Sequence, residues 1–157
     1  MKLNLYPLDE SAAHEIVRWR YETPYNIYNI EDTEKSIRYA LDRQNNFFAM
    51  RNENNELVGF CSFGQDGQVP GGDYAEDALD IGMGIRPDLT GHGLGSEFVT
   101  AVLGFARKEF SPQNFRVTIA AFNQRAQRVW KKNGFKQFQT FIHKTSSREF
   151  IILISHE

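Results

Sequence analysis

Between Pro87 and Phe98 the chain reads PDLTGHGLGSEF, with glycine at every second position, Gly91, Gly93 and Gly95. These glycines run into an apolar stretch in which Leu94, Phe98, Ala101, Val102 and Phe105 recur at helical spacing. The first amides of a helix have no intrahelical acceptor, and the helix dipole favours negative charge beside them. A strand, a proline turn, a glycine loop and a helix in that order therefore form an anion site. Its candidate residues are Thr90, Gly91, His92, Gly93, Leu94, Gly95 and Ser96. Two familiar phosphate loops do not fit. A Walker A loop requires a lysine after its last glycine, and none follows here. The GxGxxG dinucleotide fingerprint finds Ser96 where its third glycine belongs. A ligand-free glycine turn is the plain alternative, although three alternating glycines exceed what one turn needs.

Other reactive residue types form no pattern of their own. Cys61 is the only cysteine and lies in LVGFCSF, the setting of a buried, inert thiol. With no partner for an intrachain disulfide, a cytoplasmic location is the simpler expectation. His14, His92, His143 and His156 are too dispersed for metal ligation, so no metal is expected. Arg125, Arg128, Lys131 and Lys132 crowd one segment, either as a solvated helix face or as anion ligands.

The whole chain is consistent with one domain, residues 1–157. Its length allows roughly 70% of the unfolded surface to be buried. A net charge of −2 argues against nucleic acid or anionic membrane as the main partner. No secretory h-region is visible in MKLNLYPLDE, and nowhere is there an apolar run long enough to span a bilayer.

The elements that must position the loop follow from periodicity and punctuation. Lys2–Leu8 reads as a strand, and helices are expected over 11–20, capped by Asp9 or Ser11, and over 32–43. Between them, YETPYNIYN is an aromatic loop broken by Pro24. NFFAMR and ELVGFCSFG form two strands around the NENN turn, and a long loop leads to a strand over 79–85. That strand carries Gly82 and Gly84, which mark a bulge or a close backbone approach. A helix over 93–110, a strand over 116–122, a helix over 126–133 closed by Gly134, and a C-terminal hairpin complete the chain. The order β-α-α-β-β-β-α-β-α-β-β is that of an α/β domain with a mixed sheet. Exposed edge strands in the hairpin could support a homodimer.

The stretch IRPDLTGHGLGSEFV resembles the central motif of the GNAT superfamily of N-acetyltransferases, (Gln/Arg)-x-x-Gly-x-(Gly/Ala). Gly93 and Gly95 match the motif glycines, whereas Thr90 stands where the family most often has Gln or Arg. Separately, AAFNQRAQRVWKKNGF resembles the family's later motif, with Asn123, Ala126 and the pair Gly134-Phe135 at its offsets. The resemblance spans nearly the whole chain. It implies a mostly antiparallel sheet splayed at one strand and flanked by about four helices. It also implies acetyl-CoA as co-substrate and transfer of its acetyl group to an amine of a small molecule or a peptide N-terminus.

By the same resemblance, loop amides would hold the pyrophosphate and Asn123 the pantetheine arm. Met83, Gly84 and Ile85 would offer backbone to the arm and the acetyl carbonyl, from a strand splayed at a bulge. Asp80 is the first candidate base, ahead of Glu76 and Asp77. Trp130 occupies the position of the family's tyrosine acid, and an indole N–H cannot serve as an acid. Tyr25 or Tyr28 could replace it, and with Trp19 and Tyr21 they could wall the acceptor site. A thiolate with a pKa near ~8.5 leaves tolerably without protonation, so the missing acid need not abolish catalysis. A non-catalytic CoA-binding or sensor module is the alternative.

Overall fold

The computed structural model describes residues 1–157. Strand β1 (Asn4–Pro7) leads into helices α1 (Glu10–Ile16) and α2 (Glu34–Leu41), followed by the meander β2 (Phe47–Arg51), β3 (Leu57–Phe63) and β4 (Leu79–Ile85). Helix α3 (Gly95–Phe110), β5 (Asn114–Ala120), α4 (Gln124–Lys132) and the hairpin β6 (Lys136–Ile142) and β7 (Glu149–His156) complete the order read from the sequence.

Local chemistry sets the boundaries. Asp9 caps α1 by accepting from the Ala12 amide at 2.8 Å, and Thr33 caps α2 through Ser36 at 3.1 Å. Helix α1 stops short of the expected Arg20, which instead donates to the carbonyls of Trp19 and Ile30 at 2.8 and 2.9 Å. Helix α4 starts before the expected Ala126 because the Asn123 side chain accepts from the Ala126 amide at 3.1 Å.

The seven strands form one sheet in the order β1-β2-β3-β4-β5-β7-β6. Every neighbouring pair is antiparallel except β4 and β5, which run parallel. Those two strands are in register only at Leu79↔Phe115 and Asp80↔Arg116, and beyond that point they diverge toward their C-terminal ends. The splay implied by the family resemblance is therefore present, but its cause is not the expected bulge. Strand β4 keeps unbroken register with β3 from Ile81 to Ile85, while register shifts fall at Met50/Arg51 and Gln137/Gln139. Gly82 and Gly84 instead make room for neighbours on β3. A Cβ at Gly82 would lie 2.6 Å from the Ser62 hydroxyl, and one at Gly84 would collide with the Phe60 ring.

The larger core lies between the sheet and α3/α4, with Phe98, Val102, Phe115, Val117 and Leu153 almost fully buried. A smaller core packs α1 and α2 on the opposite face around Ala13, Ile16, Trp19 and Ile37. Strand β6 is a sheet edge and leaves Phe138 and Ile142 exposed. No helix is long and apolar enough to cross a membrane.

Candidate functional site

The site is the wedge between β4 and β5, and its vertex is closed by an ion pair. Asp80, at the last registered position, accepts from Arg116 Nε and Nη2, both at 2.7 Å, and from Gln68 Nε2 at 2.9 Å. The two side chains are only 4% and 2% exposed. Hydrogen bonding to Asp80 raises the Arg116 pKa, against the opposing effect of burial. The Arg116 guanidinium also donates to the Glu76 carbonyl at 2.8 Å and lies over the Tyr74 ring. Both oxygens of Asp80 are thus committed to a clasp, away from the open wedge. The expected base at Asp80 is corrected to a structural carboxylate, and neither Glu76 nor Asp77 lines the cleft either.

Along β4 the hydrogen bonds alternate in direction. Gly64 donates to the Asp80 carbonyl and Arg86 donates to the Val58 carbonyl, both at 2.9 Å. Antiparallel pairing then turns the backbone groups of Asp80, Gly82, Gly84 and Arg86 toward β3, and those of Ile81, Met83 and Ile85 toward the wedge. Beyond the last β4–β5 pair, this edge lacks a strand partner. There the Ile85 carbonyl is claimed by the Tyr21 hydroxyl at 2.8 Å. Burial pushes the Tyr21 phenol up to about 12, so it remains a donor there.

At the C-terminal end of β4 the glycine loop begins. Gly91 and Gly93 both have φ of +76°, a left-handed conformation that glycine enters without steric cost. Gly95 serves another purpose: its Cβ would sit 2.9 Å from Val129, so it lets α3 approach α4. Helix α3 has no side-chain cap, and the six amides from Gly91 to Ser96 have no hydrogen-bond acceptor within the protein. Thr90 turns its hydroxyl back to the Pro87 carbonyl at 2.7 Å, and His92 is exposed. Arg125 leans over this loop and stacks on the Tyr25 ring at 4.0 Å, while Arg128 and Lys132 line the same cavity. Lys131 of the same cluster does not. A row of free donors with three nearby cations fits a diphosphate.

The second motif builds the opposite wall. Trp130 is buried against Phe135, with ring centroids 5.0 Å apart, and one face reaches the cavity. Asn123 donates through Nδ2 to the Tyr28 hydroxyl at 3.2 Å, while its Oδ1 caps α4. The amide of Ala120, at the splayed end of β5, also points at Tyr28 Oη at 3.3 Å. Two N–H donors thus face the Tyr28 oxygen, leaving its own proton free for the cavity. Burial raises its pKa, and the bonds from Asn123 and Ala120 act in the opposite direction. Tyr21, Tyr25 and Tyr28 line the cavity, whereas Trp19 belongs to the α1/α2 core and packs on Phe60.

The cavity occupies about 1210 Å³ and runs from the loop, past bare Gly82 and Gly84, to Tyr39, Phe47 and Phe60. A cleft of about 470 Å³ adjoins it, sharing Tyr21, Tyr25, Thr90 and Arg125. Asp66 is the sole carboxylate lining the larger cavity. It was not among the candidates, because its turn, Gln65–Gly67, reads only as polar loop. Ser62 and Tyr39 donate to it at 2.7 and 2.8 Å.

The GNAT acetyltransferase domain model matches residues 3–136. No curated protein sequence matches the chain. Among solved structures, a chimera of the spermidine N-acetyltransferase SpeG from Vibrio cholerae and hSSAT superposes with a TM-score of 0.77 at 13% identity, covering 99% of this chain and 96% of that one. A GNAT-family acetyltransferase from Bacillus anthracis gives 0.76 at 19% identity, over 99% and 95% of the two chains. AAC(6')-Ib, in complex with ribostamycin and coenzyme A, gives 0.77 at 15% identity, over 100% and 94%. These likenesses establish the shared architecture, and with a family model spanning most of its length the chain belongs to the GNAT acetyltransferases.

Proposed function

We propose that this protein transfers the acetyl group of acetyl-CoA to a primary amine, by direct attack within a ternary complex. The observation that carries the reading is the row of six partnerless amides meeting the open edge of β4. The donors from Gly91 to Ser96, with Arg125, Arg128 and Lys132, hold the diphosphate, and the wedge between β4 and β5 receives the pantetheine arm. When bound, acetyl-CoA supplies an acyl group activated as a thioester. Met83 and Ile85 orient that group through their wedge-facing amides, and a donor to its carbonyl stabilises the charge that develops there. Tyr21 holds the Ile85 carbonyl, which keeps this edge from turning.

Tyr28 replaces the tyrosine that Trp130 displaces. Its hydroxyl proton is the one not engaged by Ala120 or Asn123, and it is directed to the departing sulfur. The phenol titrates above a thiol, so Tyr28 stabilises the thiolate chiefly as a hydrogen-bond donor. Tyr25 supports Arg125 from below. Trp130 shapes the wall. Direct attack fits a cavity continuous from loop to acceptor end, and the one cysteine is not available to carry the acetyl group: Cys61 is fully buried, and burial raises its pKa.

Calorimetry with acetyl-CoA and thiol release against a panel of amines test the reading. Absence of acetyl-CoA binding ends it. Binding without thiol release from any amine would favour a sensor module, the reading motivated by Trp130.

A further inference from the structure

The cleft is electrically polarised. Arg125, Arg128 and Lys132 stand at its loop end, and His143 and Arg148 reach it from the turn between β6 and β7. Asp66 stands apart from all of them, engages no ion pair, and is the only negative side chain in the lining. Its two hydrogen bonds come from neutral hydroxyls, which orient a carboxylate without neutralising it. Around it the wall is aromatic: Tyr39 meets Phe47 edge-on at 5.9 Å, and Phe47 stacks on Phe60 at 6.1 Å. Rings flanking an uncompensated carboxylate attract an organic cation, through the carboxylate and through the negative ring faces.

Asp66 sits beside Gly82 and Ser62, over the β3–β4 pair rather than at the wedge-facing edge that carries the Met83 and Ile85 amides. Its Oδ2 lies 3.4 Å from where a Gly82 Cβ would be. Ile85, where Tyr21 fixes the edge, is three strand residues away, about 10 Å at ~3.3 Å per residue. An acceptor held at Asp66 must therefore carry its reacting nitrogen several bonds from the held group.

Resting on the acetyltransferase reading, we infer that Asp66, oriented by Ser62 and Tyr39 and flanked by Phe47 and Phe60, anchors a second cationic group of the acceptor. The acceptor is then an elongated amine with two positively charged nitrogen centres, one held while the other is acetylated. The covalent step is ordinary acyl transfer. The reacting ammonium first gives one proton to solvent; its lone pair then forms the N–C bond as the C–S bond breaks, the sulfur leaves with its electron pair, and the second proton lost by the nitrogen also goes to solvent.

The test uses unbranched aliphatic diamines of increasing length, each paired with the monoamine in which methyl replaces the second nitrogen. Thiol release should give each longer diamine a kcat/KM at least ~10-fold above its monoamine, the equivalent of one ion pair in a partly open site. Asp66→Asn should erase that preference while leaving monoamine rates and acetyl-CoA affinity unchanged. Tyr39→Phe, which keeps the ring, should reduce the preference in part. Equal rates for diamine and monoamine in the wild type, or a preference that survives Asp66→Asn, overturns the anchor. Diamine binding measured by calorimetry on the CoA-loaded protein separates the two readings. A diamine that binds through Asp66 but releases no thiol supports the anchor and sinks the acetyl transfer. Thiol release without Asp66-dependent diamine binding does the reverse.

Discussion

At the loop end of the cleft the chain presents backbone, and at the far end it presents side chains. The loop end offers the amides from Gly91 to Ser96, made available by left-handed glycines and an uncapped helix. The far end offers Tyr39, Phe47, Phe60 and Asp66, brought together from α2, β2, β3 and the turn after β3. Backbone donors recognise a group that is constant from one co-substrate molecule to the next, and their chemistry is independent of neighbouring residue types. Side-chain walls select a variable partner, and single substitutions can retune them. On the proposed acetyltransferase reading, the difference puts cofactor affinity at one end and acceptor choice at the other, with the Asp80–Arg116 clasp at the vertex between them.

The largest effect is expected where both ends depend on one contact. Asp80→Ala leaves Arg116 charged and unpaired at 2% exposure, and breaking a buried pair from one side costs about 3–5 kcal/mol. Chemical denaturation should report that loss, and acetyl-CoA and amine binding should weaken together. If stability falls by less than about 1 kcal/mol, the clasp does not hold the wedge. Next comes Gly93→Asp, which adds a negative charge within the row of donors. No atom lies within 4 Å of that Cβ, so a loss reflects charge and backbone strain rather than collision. Acetyl-CoA affinity should drop by about 100-fold in calorimetry, near 2.7 kcal/mol, with the far end untouched. Gly93→Ala separates the strain, about 1–2 kcal/mol for a left-handed residue.

The same contrast explains what the sequence made legible. A loop that binds through backbone writes itself as glycine spacing in one short stretch, so residues 90–96 and their helix could be read directly. Strand β4 is legible to its observed ends, because turn formers flank it on both sides. Its splay follows from the family resemblance, but not through the expected bulge. Gly82 and Gly84 are dictated by Ser62 and Phe60 on β3, a cross-strand relation that no local pattern carries. Asp80 reads as a candidate base in the sequence because Arg116, which pairs with it in the core, lies 36 residues further along the chain. Asp66 stayed hidden for the complementary reason: a lone aspartate in a polar turn has no spacing to betray it. Tyr28 could be named from the aromatic cluster, but its contacts with Ala120 and Asn123 arise only when the loop after α1 folds over the end of β5.

A smaller effect probes the boundary between the two ends. Tyr28→Phe removes the donor proposed for the departing sulfur and leaves the ring. Thiol release should slow by about 10-fold, below the usual span for general acid catalysis because a thiolate is a tolerable leaving group. The decrease should appear in kcat, with acetyl-CoA affinity nearly unchanged. Replacing Trp130 with tyrosine in the Tyr28→Phe background should restore rate if the two positions are alternative sites for one donor. No recovery, with binding intact, assigns Tyr28 to positioning Asn123 alone.

The smallest expected effect isolates the hydrogen bond that steadies the edge of β4. Tyr21→Phe removes the 2.8 Å bond to the Ile85 carbonyl, which should destabilise the fold by about 1 kcal/mol at neutral pH. The pH dependence has a definite sign. The folded pKa is raised to about 12 from an ordinary 10.0, so the folded state holds this proton more tightly than the unfolded chain. The contribution of Tyr21 is therefore complete below pH 10 and declines as pH rises toward 12. At about 1.4 kcal/mol per pH unit, an advantage of about 1 kcal/mol disappears within roughly one unit above 10. Denaturant unfolding of wild type and variant across that range, taken as a difference, cancels Tyr39 and the other tyrosines. A difference that stays constant with pH would mean that Tyr21 is not desolvated in the fold, and its hold on the Ile85 carbonyl would then be exchanged with water rather than kept for the edge that faces the wedge.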